Sequence, residues 1–369
     1  MKRIILSGGG TGGHIYPAVS VAEALKRRFG EEVEILFVGA EGKMEMTLVP
    51  SLGYQIKGLN IVGLQRRLAW KNFALPYYVL RSLDQARRII KEFKPDVVAG
   101  FGGYASAPIV FVAQCMGIPT VIQEQNSYAG LVNKIVGRRA KSVCVAYEGM
   151  ERFFDAEKVL MTGNPLRSAF DKGDIDRAAA FAHYGLKEDM PTLLVVGGSL
   201  GTRTLNNMMK SWILSLDEVC VAPVQVIWQT GRFYEKEMRS FFDNYPTKNI
   251  TLVPFIDRMD YAYEVADVVI SRSGACTVSE LCLAKKPTLF VPSPNVAEDH
   301  QTKNARALVD KDAAMMVSDV EATDCGIATA LKMVADKELL ARLSENIGKL
   351  ATPDAAERVA DEIVKCIKD

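Results

Sequence analysis

A glycine-rich stretch near the start of the chain places a histidine where backbone N–H groups converge. Residues 2–7 have the composition of a short strand, residues 8–13 include five glycines, and His14 opens a segment with the apolar spacing of a helix. This order of elements brings backbone N–H groups to a phosphate at the positive end of the helix. Histidine exchanges protons near neutral pH, so His14 is a candidate general base. The alternative is that His14 only caps or packs the turn.

The same glycines resemble a dinucleotide site, but the next strand does not fit one. Gly8, Gly10 and Gly13 match the G-x-G-x-x-G fingerprint. In such sites an acidic residue at the end of the second strand binds the ribose. Here the second predicted strand ends before Gly39, and Glu41 is the first acidic residue after it. The pattern therefore disfavours a nicotinamide dehydrogenase, which stays open as an alternative, as does a nucleotide-sugar sensor without catalysis.

A second candidate site lies in the other half of the chain, at 267–304. A predicted strand leads through the small residues 273–275 into a helix whose N-terminus can approach a diphosphate closely. Glu280 lies within this helix, where its carboxylate can accept two hydrogen bonds from a ribose or, alternatively, complement the helix dipole. The polar loop at 292–304 suits the recognition of sugar hydroxyls. Together these features predict a nucleotide-sugar site.

Two further polar turns belong to the first half of the chain. Residues 101–108 contain a second glycine turn, and residues 124–127 place four polar side chains directly after a predicted buried strand. Either stretch could be turn chemistry alone. Together with the first glycine loop, they favour a binding cleft in this half.

The elements that must position these residues alternate between strands and helices. Strands are predicted at 4–7, 35–38, 54–58, 97–100, 120–123, 143–146 and 159–161, and again at 192–196, 224–229, 250–253, 268–271, 288–291 and 314–317. Each half opens with a glycine loop, at 8–13 and at 197–202. This alternation predicts an α/β fold of two Rossmann-like halves, each a doubly wound parallel sheet that binds ligands at the carboxyl ends of its strands.

Composition excludes several classes of protein. Lys plus Arg number 45 and Asp plus Glu number 44, a balance that argues against nucleic acid as a partner. The 7 cysteines are scattered and never form C-x-x-C, which predicts a reduced, cytosolic chain without a zinc site. The apolar run after Met1 is too short for a signal peptide, and no stretch reaches the roughly 18 apolar residues of a membrane span. We expect a soluble or peripheral protein.

One metal-type motif has a simpler explanation. Asp174-Ile175-Asp176 matches the D-x-D of metal-dependent sugar transferases, but it lies where a helix is predicted to begin. Aspartate is a favoured N-cap and complements the helix dipole. We therefore expect helix capping here, no metal site and no cofactor.

Seven motifs in order along the chain resemble the MurG family. They are GGGTGGH at 8–14, FGGYAS at 101–106, EQN at 124–126, TGNPLR at 162–167, GGSLGT at 197–202, SRSGACTVSE at 271–280 and HQTKNA at 300–305. The resemblance implies the GT-B fold, two Rossmann-like domains facing across a cleft. Residues 1–165 with a C-terminal helix at 353–369 would form the acceptor- and membrane-facing domain, and residues 166–352 the UDP-GlcNAc-binding domain. Closure about 164–166 would bring the substrates into line.

The resemblance also implies an activity. MurG enzymes move GlcNAc from UDP-GlcNAc to the C4 hydroxyl of MurNAc in undecaprenyl-pyrophosphoryl-MurNAc-pentapeptide (lipid I), forming lipid II for peptidoglycan, with inversion and without a metal in the chemistry. The alternative is another GT-B enzyme that uses a UDP-sugar, either a glycolipid transferase or a UDP-GlcNAc 2-epimerase. Small departures, at Leu200 and Cys276, remove no group that the chemistry needs.

Site residues carry over from the family motifs position by position. The resemblance implies His14 and Glu124 as catalytic residues and a donor site with Ile256 near the uracil. The full donor set is Thr11, Gly12, Gly13, Asn126, Arg167, Ser199, Ile256, Ala275, Cys276, Thr277, Val278, Ser279, Glu280 and Gln301. The implied acceptor set is Gly9, Gly10, Gly102, Gly103 and Tyr104.

A lipid-linked acceptor implies contact with a membrane. The segment from Ile61 to Arg81 interleaves apolar and aromatic residues, including Trp70, with four cations, a composition typical of the membrane interface. The alternative is that the aromatic residues belong to the core. We expect a peripheral protein on the cytoplasmic face of the inner membrane. Its expected partners are UDP-GlcNAc, lipid I, the anionic membrane surface and proteins of cell-wall synthesis and division.

Overall fold

A computed structural model of the chain describes residues 1–61, 75–166, 175–216 and 221–367. The chain divides into two compact units, each with its own sheet. Unit 1 comprises Met1–Ser168 and Thr352–Asp369, and unit 2 comprises Ala169–Ala351. Residues 62–74 of the predicted membrane-facing segment Ile61–Arg81, with Trp70, lie outside the described residues, and so do Arg167 and Asp174.

Unit 1 contains a seven-stranded sheet in the order β3-β2-β1-β4-β5-β6-β7, and every strand pair is parallel. The strands are β1 (Lys2–Ser7), β2 (Val33–Ala40), β3 (Gln55–Leu59), β4 (Val97–Gly100), β5 (Thr120–Glu124), β6 (Ser142–Val145) and β7 (Val159–Met161). Its helices are α1 (Gly12–Phe29), α2 (Glu45–Ser51), α3 (Leu75–Phe93), α4 (Ser106–Cys115) and α5 (Leu131–Gly137). Strands of such a sheet are covered on both faces, which explains why β1 contains the consecutive buried apolar residues Ile4, Ile5 and Leu6.

Unit 2 contains a six-stranded parallel sheet in the order β10-β9-β8-β11-β12-β13. The strands are β8 (Thr192–Val196), β9 (Val221–Gln229), β10 (Lys248–Val253), β11 (Val268–Ser271), β12 (Thr288–Phe290) and β13 (Met315–Met316). The helices are α6 (Arg177–Tyr184), α7 (Arg203–Leu214), α8 (Glu235–Asn244), α9 (Met259–Val265), α10 (Ala275–Ala284), α11 (His300–Val309), α12 (Ala322–Ala335) and α13 (Lys337–Gly348). All thirteen predicted strands are present, with ends shifted by at most three residues.

The last helix, α14 (Ala355–Lys365), packs into the core of unit 1. It begins two residues after the predicted start, and it buries Val359, Ala360 and Ile363 against a cluster that includes Val19 and Leu25 of α1. Arg27 and Arg28 of α1 form ion pairs with α14 carboxylates at 2.9 and 2.6 Å. These pairs lie at the surface and contribute little, so the apolar face holds the helix in place.

The helix capping expected for the D-x-D motif at 174–176 is confirmed at Asp176, the aspartate of the motif that is described. Asp176 is the N-cap of α6, and its carboxylate accepts a hydrogen bond from the backbone N–H of Ala179 at 3.1 Å. No helix within the described residues combines the length and the apolarity needed to cross a membrane.

We expect Ile363→Ala to lower the free energy of unfolding by about 2–5 kcal/mol, because it opens a cavity in the core of unit 1. Urea unfolding followed by circular dichroism would measure the change. Lys365→Ala, on the exposed side of the same helix, is the matched control and should cost no more than about 0.5 kcal/mol. Equal effects of the two substitutions would contradict the packing of α14 into this core.

Candidate active site

His14 lies against the glycine loop that precedes α1. Its Nδ1 is 3.0 Å from the carbonyl oxygen of Gly9 and 3.3 Å from Oγ1 of Thr11. A carbonyl oxygen only accepts, so the contact with Gly9 assigns the ring proton to Nδ1. In the neutral ring, Nε2 then carries the lone pair. The loop therefore sets the tautomer that a base acting through Nε2 requires.

The second glycine turn packs directly on the first. Gly103 has φ +76°, a backbone conformation that favours glycine, and a Cβ at this position would overlap the carbonyl oxygen of Gly9. The same Cβ would lie 3.2 Å from Nδ1 of His14, and a Cβ at Gly102 would lie 3.3 Å from Nε2. The two turns follow the neighbouring strands β1 and β4, whose last residues, Ser7 and Gly100, pair in register. The sheet thus brings His14 and both predicted glycine turns to one edge.

Glu124, the last residue of β5, is buried and fully engaged by hydrogen bonds. Its Oε1 accepts from the backbone N–H and the Nδ2 of Asn126, at 3.0 and 3.3 Å. Its Oε2 accepts from the N–H of Gly130 and from Nδ2 of Asn133, at 3.0 and 2.9 Å. The carboxylate therefore orders the loop between β5 and α5. Asn133 also faces the turn that contacts His14, because a Cβ at Gly102 would lie 3.5 Å from its Nδ2.

Sequence reasoning missed a second buried carboxylate beneath the glycine loop. Glu45, in the first turn of α2, is fully buried. Its Oε1 accepts from the N–H of Ala40 at 2.9 Å, and its Oε2 accepts from the N–H of Gly10 at 3.1 Å. A Cβ at Gly9 would overlap the carboxylate. An acidic residue in the first turn of a helix usually faces solvent and complements the dipole, so the sequence offered no sign of this contact.

In unit 2, three loops leave the carboxyl ends of adjacent strands. Val196 of β8 pairs with Ser271 of β11, and Ser271 pairs with Phe290 of β12. The loops at 197–202, 272–274 and 291–299 therefore share one edge, the position where α/β sheets bind ligands. Gln229 is buried and holds the first of these loops, accepting from the N–H of Gly197 at 3.1 Å and donating to the carbonyl oxygen of Gly198 at 2.8 Å.

The start of α10 is tied to α11 through neutral side chains. Ser273 is buried, and its hydroxyl donates to the carbonyl oxygen of Gln301 at 2.8 Å. Gln301 in turn accepts through Oε1 from the N–H of Ser293 at 2.8 Å, and Asn304 donates to the carbonyl oxygen of Ser273 at 3.3 Å. These bonds fix the N-terminal end of α10, which carries about half a positive charge.

Glu280 is held by a tyrosine that the sequence did not single out. The hydroxyl of Tyr263, on α9, donates to Oε2 of Glu280 at 3.2 Å. Burial, and next the charge of Glu280, raises the pKa of Tyr263 well above its ordinary value, so Tyr263 stays a donor. This bond orients the Glu280 carboxylate on α10.

The predicted site residues thus form two groups, one in each unit. Unit 1 contains Thr11, Gly12 and Gly13 beside His14, with Asn126 bonded to Glu124. Unit 2 contains the α10 residues Ala275, Cys276, Thr277, Val278, Ser279 and Glu280, together with Ser199, Ile256 and Gln301. Ser199 is exposed on its loop, whereas Ile256 and Val278 are buried. Within the described residues, no cluster of His, Cys, Asp or Glu could hold a metal ion.

Comparison with known proteins defines the class of this chain. Residues 4–145 match the model of the glycosyltransferase family 28 N-terminal domain, and residues 192–359 match that of the corresponding C-terminal domain. Two such domains, each with a parallel sheet, describe a glycosyltransferase of the GT-B class. The predicted fold class, GT-B with two Rossmann-like doubly wound domains, is confirmed.

The family follows from whole-chain relatives. The UDP-N-acetylglucosamine–N-acetylmuramyl-(pentapeptide) pyrophosphoryl-undecaprenol N-acetylglucosamine transferase of Parabacteroides distasonis is 52% identical over 99% of this chain and 98% of that protein. The crystal structure of Acinetobacter baumannii MurG has a TM-score of 0.78 at 31% identity, over 99% of this chain and 100% of the other. The chain belongs to the MurG family, as the motifs predicted.

A more distant likeness concerns the fold alone. The UDP-GlcNAc 2-epimerase from Neisseria meningitidis, solved with UDP-GlcNAc bound, has a TM-score of 0.69 over 99% of this chain and 100% of that one. Its sequence identity is only 14%. The GT-B architecture is therefore shared between enzymes of different activity, and function has to be argued from the site.

We expect Glu45→Gln to lower the free energy of unfolding by about 1–3 kcal/mol, because an amide can accept at only one of the two N–H groups that the carboxylate now satisfies. Urea unfolding would measure the change. Glu31→Gln, at an exposed position, is the control and should be nearly neutral. A Glu45→Gln protein as stable as the control would contradict the two buried hydrogen bonds.

Proposed function

We propose that this chain transfers GlcNAc from UDP-GlcNAc to the C4 hydroxyl of MurNAc in undecaprenyl-pyrophosphoryl-MurNAc-pentapeptide, forming lipid II for peptidoglycan. The observation that carries this proposal is the 52% identity, over almost the whole of both chains, with a transferase named for that reaction. The alternative, a 2-epimerase or another UDP-sugar enzyme, rests on fold likeness at 14% identity and is disfavoured.

Unit 2 is proposed to bind the donor. The N-terminal end of α10 would stabilise the diphosphate, and this stabilisation grows as UDP leaves and negative charge develops on it. Ser199, on the loop at 197–202, would add a contact. Arg167, which the family motif also assigns to the donor, would contribute from the end of unit 1. Ile256 would face the uracil. Glu280, oriented by Tyr263 at 3.2 Å, would accept hydrogen bonds from the ribose hydroxyls.

Unit 1 is proposed to bind the acceptor and supply the base. The lone pair on Nε2 of His14 would take the proton of the MurNAc C4 hydroxyl while its oxygen attacks the anomeric carbon of GlcNAc. The bond from that carbon to the UDP oxygen breaks on the opposite face, so an α-linked donor gives a β-1,4 product. The Nδ1 contact with Gly9, at 3.0 Å, stabilises the imidazolium that forms.

Glu124 is proposed to act as a positioning residue. The sequence predicted a catalytic role, and its four hydrogen bonds support an indirect one, since both carboxylate oxygens are engaged within unit 1. By fixing Asn126 and Asn133, Glu124 would set the loop that borders the acceptor turn at 102–104. Gly9, Gly10 and Tyr104 would complete the acceptor site, although the N–H of Gly10 is already bonded to Glu45.

We expect His14→Ala to lower kcat by about 10²–10⁴ with the KM for UDP-GlcNAc unchanged, because only general-base catalysis is lost. The assay is transfer of radiolabelled GlcNAc from UDP-GlcNAc to a short-chain lipid I analogue.

His183→Ala, on α6 of unit 2, is the matched histidine control and should retain turnover. Full turnover by His14→Ala would refute the assignment of the base. A wild type that binds UDP-GlcNAc without transferring it would instead indicate a sensor and refute the proposed reaction.

A peripheral position on the cytoplasmic face of the inner membrane is proposed for the protein, with contacts to cell-wall and division proteins following from it. The support in unit 1 is the described part of α3, where Tyr77 and Leu80 are 62% and 68% exposed. Arg81 and Arg87 are exposed on the same helix, and so is Arg88, which forms an ion pair with Asp84 at 2.6 Å. Each cation near an anionic surface contributes about 1 kcal/mol, enough together for reversible binding.

We expect Leu80→Glu to weaken binding to vesicles of phosphatidylethanolamine and phosphatidylglycerol, because it replaces an apolar contact with a charge that anionic lipid repels. Co-sedimentation would measure binding. Val320→Glu, at an apolar position of unit 2 that is 86% exposed, is the control for added charge. The same loss in both variants, or in neither, would argue against membrane contact through α3.

A further inference from the structure

A single peptide group lies between the ring of His14 and the buried carboxylate of Glu45. Nδ1 of His14 donates to the carbonyl oxygen of Gly9 at 3.0 Å. The N–H of Gly10 donates to Oε2 of Glu45 at 3.1 Å. Because that carbonyl and that N–H belong to the same peptide bond, the two hydrogen bonds run in series from the imidazole ring to the carboxylate.

The surroundings of Glu45 are shaped to hold a carboxylate at this position. A Cβ at Gly9 would overlap the carboxylate, and a Cβ at Gly39, near the end of β2, would lie 2.5 Å from Cγ of Glu45. Two glycines therefore make room for the side chain. Both of its oxygens accept from N–H groups, which is the bonding pattern of an ionised carboxylate.

The charge of Glu45 is buried without a counter-ion. Within the described residues its hydrogen-bond partners are two backbone N–H groups, and no cation pairs with it. Burying a carboxylate in this way is costly, and buried charges are usually paired. At the corresponding loop of unit 2, the neutral amide of Gln229 holds the backbone without a charge. We therefore expect the charge of Glu45 to do more than shape the loop.

The effect of this charge on the ring is the one that general-base catalysis needs. A carboxylate that accepts from an amide N–H polarises the amide, so the carbonyl oxygen of Gly9 becomes a stronger acceptor. A stronger acceptor keeps the ring proton on Nδ1 of His14 and stabilises the imidazolium that forms when Nε2 takes a proton. In hydrolases with a catalytic triad, a carboxylate bonded directly to the histidine has the same effect.

We propose that Glu45 is a positioning residue for His14 and acts through the peptide group that joins Gly9 to Gly10. The inference rests on the proposed function, in which Nε2 of His14 takes the proton of the acceptor hydroxyl. We call His14, this peptide group and Glu45 the relay. No proton passes along the relay, because each hydrogen stays on its own nitrogen while the ring becomes positively charged.

Glu45→Gln, made both in the wild type and in His14→Ala, tests the relay, because an amide accepts through one of its two ends only. In the wild type we expect kcat to fall by roughly 10–100-fold, with the KM for UDP-GlcNAc unchanged. In His14→Ala the same substitution should change kcat by less than about twofold, because the group through which Glu45 acts is gone.

A matched control separates this effect from a loss of stability. Ile363→Ala opens a cavity in the core of unit 1 and leaves the residues of the relay in place. It should destabilise the protein at least as much as Glu45→Gln does. At a temperature where both variants are folded by circular dichroism, Ile363→Ala should retain the kcat of the wild type.

A spectroscopic measurement tests the relay independently of activity. The chain has 3 histidines, so comparison with His14→Ala identifies the signals of His14. Nitrogen NMR spectra of isotope-labelled histidine, recorded at alkaline pH where the ring is neutral, show which ring nitrogen carries the proton. We expect this proton on Nδ1 in the wild type and a larger share of the Nε2-protonated ring in Glu45→Gln.

The outcomes separate the relay from the proposed reaction. A neutral wild-type ring protonated on Nε2 would overturn the relay, and this result does not require any variant to fold. An unchanged kcat in Glu45→Gln, an equal loss with and without His14, or an equal loss in Ile363→Ala would overturn it as well. If the wild type binds UDP-GlcNAc and transfers it to no acceptor, the proposed reaction fails, while the NMR result still decides the relay.

Discussion

Two buried carboxylates, which accept hydrogen bonds from backbone N–H groups and from two asparagine side chains, hold the loops of unit 1 in shape. Glu45 accepts hydrogen bonds from Ala40 and Gly10 beneath the first glycine loop. Glu124 accepts hydrogen bonds from Asn126, Gly130 and Asn133 beside the second glycine turn. Glycine-rich loops have little intrinsic preference for one conformation, and their backbone groups need partners when buried. The position of His14 depends on these loops, because its Nδ1 contacts the carbonyl oxygen of Gly9.

Unit 2 holds its loops by neutral groups instead. The side chain of Gln229 forms hydrogen bonds with the backbones of Gly197 and Gly198. Hydrogen bonds from the side chains of Ser273 and Asn304 connect the start of α10 to α11. Amide and hydroxyl groups satisfy these backbone groups without placing a negative charge beside the start of α10. The carboxylate on α10 is Glu280, which lies beyond the first turn and is bonded to Tyr263. In both units, buried hydrogen bonds hold the loops at the carboxyl ends of the strands. Carboxylates accept these bonds in unit 1, whereas neutral side chains form them in unit 2.

The fold was largely predictable, because a strand buried in a parallel sheet is a short run of apolar residues in the sequence. Residues 192–196 and 268–271 are short, mostly apolar runs followed by Gly197 and Arg272, and both form strands as predicted. In each unit the strand ends placed the predicted loops correctly at one edge of that unit's own sheet. These are the two glycine turns in unit 1, and the loop at 197–202 with the start of α10 in unit 2. The family followed from seven motifs in order along the chain, and the comparison with known proteins confirmed it.

The remaining features depend on contacts between distant parts of the chain. Glu45 looks like an ordinary residue of a helix first turn, and only the packing of α2 under the glycine loop reveals its partners. The family resemblance implied a catalytic role for Glu124, but its four donors lie on residues 126, 130 and 133, and nothing in the sequence indicated these bonds. An apolar pocket of about 410 Å³ in unit 1 is lined mainly by α3, α4 and α5, which are spread along the chain, so no local pattern could predict its walls.

The placement of α14 has a consequence for synthesis on the ribosome. The core of unit 1 includes Val359 and Ile363, which are translated only after the whole of unit 2, residues 169–351. At about 5–20 residues per second, this delay is on the order of ten seconds or more. During that interval the apolar surface of α1 that α14 later covers is open to solvent or to chaperones. Unit 2, whose chain is continuous, can fold first, so the first unit to emerge is the last to be completed.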